Sequence, residues 1–384
     1  MPPYSARGPL RKHHGIMILG QASPAGGFSC DLSDFLRANR GFALAHGDII
    51  KNGKLSVDFP ARREYNNYNN QENFTENVMK ERILVISSAN IDLSVKAKRF
   101  PAAGETLISD GDYAYLPGGK GANASRALAA LGADTVFLCR LGDDSNGRRL
   151  RTLYEREGID TRFIVTDCDE KTGFALVLCE EGAENRIIVY PGANAYLSAS
   201  DVEEAFTSYP DGVFVQMEIP DEALLAAGRF ASESSVKLIV DAGPARPDFP
   251  FDRLGRISIF SPNEAECEAY TGIYPTDSES CLRACVALGR MMKADNIVLK
   301  LGERGAFAYD GKFYRIVPSF RVKAVDTTGA GDVFTSALAL RTLAGDDLYT
   351  ACAYACAAGA LSTERRGAYA PTDTEVRALM SRTR

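Results

Sequence analysis

From residue 80 onward, short apolar runs alternate with helical segments, and this rhythm limits the chain to a small set of folds. Candidate strands are Ile83–Ser87, Thr135–Cys139, Gly212–Gln216, Lys237–Asp241, Ile257–Phe260 and Asn296–Lys300. Helices such as Ala122–Leu131, closed by Gly132, and Asp221–Ala231 lie between them. Strands that are apolar throughout and separated by helices predict a mostly parallel sheet covered on both faces, an α/β fold of three α/β/α layers. Glu105–Leu116 and Thr172–Tyr190 break the rhythm, being rich in β-formers and glycine turns with no helix between. They predict a small β-sheet projecting from about 90–116 and 170–192. Ligands in open α/β sheets bind beyond the carboxyl ends of the strands, so such a sheet would form a lid over the site.

Residues 1–79 read differently. Weakly periodic segments lead into Asn66–Asn77, a polar tract with too little apolar surface to form a core. The expectation is an N-terminal extension that is disordered, or that is upstream sequence translated in frame before a start at Met79, ahead of one domain over 80–384. Gly15–Leu19 is too short for the apolar part of a signal peptide.

Composition excludes several classes of function. A net charge of −6 argues against a nucleic-acid surface, and no apolar run reaches the roughly 18 residues of a membrane span. Nine cysteines with no C-x-x-C pair read as thiols of a reducing cytoplasm. The pairs Cys281/Cys285 and Cys352/Cys356 could bind a metal by spacing alone, but no imidazole lies nearby. All three histidines, His13, His14 and His46, fall in the leading segment. Without that segment, acid-base chemistry must rest on carboxylates, lysines, tyrosines or cysteines.

Asp326-Thr-Thr-Gly-Ala-Gly-Asp332 precedes an apolar helix, Val333–Leu343, and places its glycines in the turn that opens it. Unpaired amides at a helix start attract anions, and Asp332 beside them could accept the proton of an alcohol attacking a phosphoryl group. The dipole there should favour the ionised carboxylate. An Asp capping an ordinary helix fits the same residues. Asn90 and Asp92 end a strand two apart, on one side of an extended chain, where a carboxylate and an amide suit vicinal hydroxyls. Asn-x-Asp is equally an ordinary loop signal. Gly118-Gly-Lys-Gly-Ala-Asn123 puts three glycines, a lysine and an asparagine before a helix, and it is not a Walker A loop.

These segments, with Gln216-Met-Glu-Ile-Pro220, Ser261-Pro-Asn-Glu-Ala-Glu266 and Lys300-Leu-Gly-Glu-Arg-Gly305, occur in the order found in the ribokinase-like, or phosphofructokinase-B type, sugar kinases. Residues 81 to about 380 resemble that family, and most of all its members acting on ribose. The resemblance implies a β-lid, often shared across a homodimer, and transfer of the ATP γ-phosphoryl to the primary hydroxyl of a furanose. It implies that Asp332 is the base and that Gly329, Ala330, Gly331 and Asp332 form an anion hole. Asn90, Asp92, Gly119, Lys120, Asn123 and Glu218 would contact ribose. Asn263, Lys300, Gly302, Glu303, Gly305 and Gly331 would contact nucleotide, with Cys356 facing adenine. Glu266 would organise Mg²⁺ through water. Asp326, Thr328, Ser362, Arg365 and Gly367 would hold K⁺, several of them through carbonyls, although Gly367-Ala-Tyr-Ala-Pro371 departs from the family's Gly-Ala-x-Pro-Ser. By themselves Glu218 and Glu266 read as solvated acids. Other readings are a kinase for a different unphosphorylated sugar or a nucleoside, such as fructose or adenosine, or a silent sugar-binding regulator on the same fold.

Overall fold

A computed structural model describes residues 80–382, apart from 110 and 181–185, together with six short strands between residues 11 and 57. The chain divides into two units, residues 1–77 and 78–384. In the first, β1 (Arg11–His13) pairs antiparallel with β2 (Ile16–Ile18). The strands β3 (Gln21–Ala22), β4 (Phe28–Asp31), β5 (Ile49–Lys51) and β6 (Lys54–Val57) form a second antiparallel sheet in the order β3-β4-β6-β5. The polar tract at 66–77 and Met79 lie outside the described residues.

In the second unit, an eight-stranded sheet runs β10 (Asp134–Leu138), β7 (Arg82–Ile86), β15 (Gly212–Gln216), β16 (Lys237–Asp241), β17 (Ile257–Ser261), β18 (Ala294–Lys300), β19 (Ala306–Tyr309) and β20 (Tyr314–Val317). Neighbours are parallel as far as β18, and β19 and β20 add antiparallel. Strand side chains alternate between the two faces, and both faces are buried. Ile83 and Val85 join Phe214, Ile239 and Val298 under one helical layer, while Leu84 and Ile86 join Val213, Val215 and Val240 under the other. The first layer holds α1 (Lys120–Ala130), α2 (Ser145–Arg156), α7 (Ala330–Leu343), α8 (Leu348–Ser362) and α9 (Asp373–Arg382). The second holds α3 (Ala199–Ala205), α4 (Asp221–Ser234), α5 (Glu264–Thr271) and α6 (Ser278–Met292). This is the three-layer arrangement expected from the alternation. Two further short strands, β11 (Arg140–Gly142) and β12 (Val165–Asp167), pair parallel beside the core.

A four-stranded sheet orders β14 (Arg186–Tyr190), β13 (Gly173–Glu180), β8 (Asn90–Ala97) and β9 (Tyr113–Gly118). The stretch expected to be β-rich from Glu105 to Leu116 forms a strand only from Tyr113. Before it, residues 98–109 form no strand: Pro101 lacks a ladder donor and Gly104 (φ 82°) makes a turn, while Ser109 and Asp112 bond singly to Lys96. Two helix starts also differ from expectation. Gly119 (φ 86°) and Gly329 (φ 76°) take positive φ, so α1 begins at Lys120 and α7 at Ala330. Gly331 and Asp332 therefore lie inside the first turn of α7 rather than in the loop before it.

From β7 the chain crosses to β10 on one side, whereas β15 leads to β16 on the other. The connections diverge between β7 and β15, which opens a crevice beyond the carboxyl ends of these strands. Ser87–Asp92 leave β7 there, Gln216 ends β15, Asp241 ends β16 and Lys300 ends β18.

Candidate active site

Asp332 sits at the third position of α7, 4% exposed. Its Oδ2 accepts from Asn123 Nδ2 at 2.8 Å and its Oδ1 from Gln216 Nε2 at 3.1 Å, while Lys120 Nζ stands 3.8 Å from Oδ1. Gln216 is itself oriented by Ser87, whose hydroxyl donates to Oε1 at 2.8 Å. Burial pushes the Asp332 carboxyl up to about 6, although Lys120 opposes it and Asp241 adds to it. The dipole was expected to favour the ionised form. Desolvation outweighs it, leaving the group ionised at neutral pH but near the range in which a base works well. Lys120 is raised in turn, chiefly by Asp332.

Among the described residues, the amides of Gly331 and Asp332 have no hydrogen-bond partner, as expected for the start of a helix. The Ala330 amide differs: it donates to the Thr327 carbonyl at 3.1 Å. The free donors in this turn thus come from Gly331 and Asp332 rather than from Ala330.

Asn90 and Asp92 occupy the start of β8, opposite Gly118 and Leu116 of β9. Asn90 Oδ1 accepts from Asn194 Nδ2 at 2.9 Å, which leaves its own amide N–H groups to face the crevice. Asp92 Oδ1 is buried without a partner, and the carboxylate lies where a Cβ on Gly118 would meet it at 2.1 Å. Burial first, and then the Glu218 charge, raises Asp92 to about 6. Asn123 Oδ1 is a second buried acceptor without a partner, on the same amide that donates to Asp332. Glu218 accepts from Ser88 Oγ and from the Lys120 amide. Gly119 is required for close approach, since a Cβ there would lie 2.9 Å from Ala89 Cα.

A cleft of about 820 Å³ opens beside Gly331, lined by Lys300, Gly302, Glu303, Gly305 and Cys356 with Phe320 and Phe334. Gly305 adopts φ 95°, and a Cβ there would meet the Val317 carbonyl at 2.0 Å. Lys300, expected to face nucleotide, lies with Nζ 3.0 and 2.9 Å from the two carboxylate oxygens of Asp241, which also accepts from Thr335 Oγ1. Asn263 does not line this cleft. It caps α5, accepting from Glu266 N at 2.8 Å while Glu266 accepts from Asn263 N at 2.8 Å. The other Glu266 oxygen, Oε1, packs against Gly243 near Lys120.

Of the residues expected to hold a monovalent cation, Asp326, Thr328 and Gly367 gather. Asp326 accepts from Thr328 N, Thr328 Oγ1 and Gly367 N at 3.0, 2.7 and 2.9 Å. Burial would raise Asp326, but these bonds hold it below the usual carboxylate range. Side chains of the other two turn elsewhere: Ser362 Oγ donates to Gly359 O at 2.8 Å and Arg365 pairs with Glu375 over the Tyr369 ring. The cysteine pairs form no metal cluster among the described residues, and the eight described cysteines are free thiols.

Sequence reasoning missed Gln216, Asp241, Thr335, Asn194 and Ser88. Gln216 opened a motif that drew attention to Glu218, and Asp241 ended an apolar strand as Asp92 follows one. Asn194 and Thr335 carried no local signal, because the contacts that place them at the site are with groups distant in sequence: Ala89 and Asn90 for Asn194, Asp241 for Thr335.

Residues 80–375 match the pfkB family carbohydrate kinase profile. A protein of Haemophilus influenzae named ribokinase is 32% identical over 303 residues, covering 78% of this chain and 98% of that protein. A deoxyribokinase of Salmonella typhimurium is 30% identical over 287 residues, covering 74% and 93%. The structure of Arabidopsis thaliana ribokinase complexed with ribose and ATP superposes with a TM-score of 0.72 at 30% identity, covering 79% of this chain and 99% of that one. With that profile covering residues 80–375, the chain belongs to the pfkB family of carbohydrate kinases.

Proposed function

We propose that the protein transfers the γ-phosphoryl group of ATP to the 5-hydroxyl of D-ribose. The observation that carries this reading is the pair of orphaned acceptors, Asp92 Oδ1 and Asn123 Oδ1, buried in the crevice whose base is Asp332. A buried acceptor without a donor costs roughly 1–3 kcal/mol, and the hydroxyls of a sugar supply the missing protons. Asn90 offers a donor beside Asp92, and Glu218 and Lys120 complete a polar lining with acceptors and a cation.

Asp332 accepts the proton of the attacking hydroxyl while Asn123 and Gln216 hold its two oxygens in place. Negative charge on the transferring group meets the amides of Gly331 and Asp332 and the start of α7. Nucleotide occupies the cleft lined by Gly302–Gly305, where the glycines let its body lie on the backbone and Cys356 closes the inner end. Glu266, fixed by its own cap, has one oxygen left to hold Mg²⁺ through water; the ion would neutralise phosphate charge. Asp326 would anchor a loop that takes K⁺, with Thr328 and Gly367 beside it.

The small sheet is the lid, and through it the protein forms a homodimer. Support comes from its two edge strands: Ile187, Ile188 and Val189 of β14 are 59, 49 and 46% exposed, and Tyr113 and Tyr115 of β9 are exposed at the opposite edge. Light scattering of Ile188→Lys against the parent chain tests this, and an unchanged mass at dimer concentration would end the assignment to β14. We place the enzyme in the cytoplasm, in keeping with its free thiols. Among the described residues no helix is long and apolar enough to cross a membrane.

A coupled ADP-release assay with ribose, 2-deoxyribose, fructose and adenosine tests the substrate. Ribose should give the highest kcat/KM. Turnover with another acceptor but not ribose would overturn the choice of sugar, and turnover with none would favour a binding regulator.

A further inference from the structure

A second cavity, of about 560 Å³, lies between α2 and the root of the small sheet. Its floor includes Ile91 of β8 and Pro117 of β9, which face each other across the strands, and Leu150 of α2. Side chains on a strand alternate, so Ile91 faces this cavity while Asn90 and Asp92 on either side of it point the other way.

The walls carry Arg126, Arg148, Arg149 and Arg156, and no acidic residue lines the cavity in a chain of net charge −6. Two of these charges are already matched. Arg126 makes two bonds to Glu157, at 2.7 and 2.8 Å, and Arg148 reaches Asp143 at 2.7 Å. The other two are not. Arg149 touches only the Tyr115 carbonyl at 3.5 Å, and Arg156 has no ion pair or hydrogen bond among the described residues. Two unmatched guanidiniums over an apolar floor, in a cavity of ligand size, form an anion site with room for an apolar body.

We propose that this cavity binds a small organic phosphate, a phosphomonoester on an apolar or planar body, and that its occupancy sets the position of the small sheet over the sugar. The guanidiniums of Arg149 and Arg156 grip the phosphate in a bidentate manner, and the body rests on Ile91, Pro117 and Leu150. The ligand then bridges α2, which belongs to the core, and β8 and β9, whose opposite side carries Asn90 and Asp92. A brace at that root changes the equilibrium between positions of the sheet, and so changes sugar affinity more than turnover. This coupling rests on the sugar site proposed above; the binding itself does not.

Calorimetric titration of the full chain with phenyl phosphate tests the binding, with ribose and a non-hydrolysable ATP analogue present to fill the crevice. One-to-one binding is expected, at least tenfold weaker in Arg149→Ala/Arg156→Ala. Arg156→Glu, a change at the exposed last residue of α2, should weaken it similarly without threatening the fold. The same affinity in parent and variants, or no heat up to about 10 mM, where affinity is below about 3 kcal/mol, overturns the site. Ribose KM should shift at least twofold with saturating phenyl phosphate in the parent and not in the variants, with kcat unchanged. Binding without that shift removes the coupling. Because the titration reads heat rather than turnover, it stands even if ribose proves not to be the substrate.

Discussion

Replacing Asp332 by Asn should abolish most activity and, at neutral pH, raise stability. The side chain is 4% exposed and its carboxyl rises from 3.8 to about 6, with burial as the main cause. At about 1.4 kcal/mol per unit, ionising it in the folded chain costs up to about 3 kcal/mol. Asn removes that cost and keeps the shape. The donors around it adapt: Gln216 can turn its amide to offer oxygen to the new NH₂, and the Ser87 hydroxyl then accepts instead of donating. Lys120 loses a partner 3.8 Å away, which returns part of the gain. A net stabilisation of about 1 kcal/mol remains, a rise in Tm of about 1–2 °C for a unit of this size. The sign has a definite window. A carboxyl raised on folding weakens the native state above the folded value, about 6, and this penalty fades as pH falls toward the unfolded value. The advantage of Asn should therefore shrink between about pH 6 and pH 4. Loss of the base should lower kcat by about 10²–10⁴ with ribose binding retained. Coupled ADP release and urea melts at several pH values read both effects. A variant that keeps activity within tenfold would refute the base assignment, and one less stable than the parent at pH 7 would refute the burial argument.

Asp92→Asn should raise the ribose KM about tenfold or more with a smaller change in kcat, since it removes a charged acceptor for hydroxyls; in the parent, ribose affinity should fall as pH drops below about 6, the value to which burial raises Asp92. A KM independent of both changes would exclude Asp92 from the sugar site. Asp241→Ala leaves the Lys300 ammonium, 11% exposed, without its counter-charge, and should destabilise the chain by about 3–5 kcal/mol in urea melts; a loss under 1 kcal/mol would mean that Lys300 finds water instead. In potassium buffer the rate should exceed that in sodium, and Asp326→Ala should erase the difference. Equal rates in the parent would remove the cation from the mechanism.

Local patterns carried the architecture. Apolar runs such as Gly212–Gln216 and Lys237–Asp241 are buried on both faces, so their strand boundaries follow from composition alone. The Asp326–Asp332 run marked a helix start, but the first turn began three residues early because only Gly329 takes φ above zero. Glu105–Leu116 misled for a different reason: β-forming residues make a strand only where a partner's ladder continues, and here regular pairing with β8 begins at Tyr113, opposite Val95.

What the residues determined by themselves is the alternation that forces a parallel sheet and the glycines that let helices approach strand ends, because both depend on neighbours along the chain. The tertiary structure alone decided the state of those groups once assembled. It engaged the Ala330 amide with the Thr327 carbonyl, joined Gln216 and Asn123 on Asp332, and drew Lys300 onto Asp241. Burial then reversed the expected shift of Asp332. Desolvation and hydrogen-bond geometry depend on groups up to 209 positions apart, as between Asn123 and Asp332, and no local window contains them.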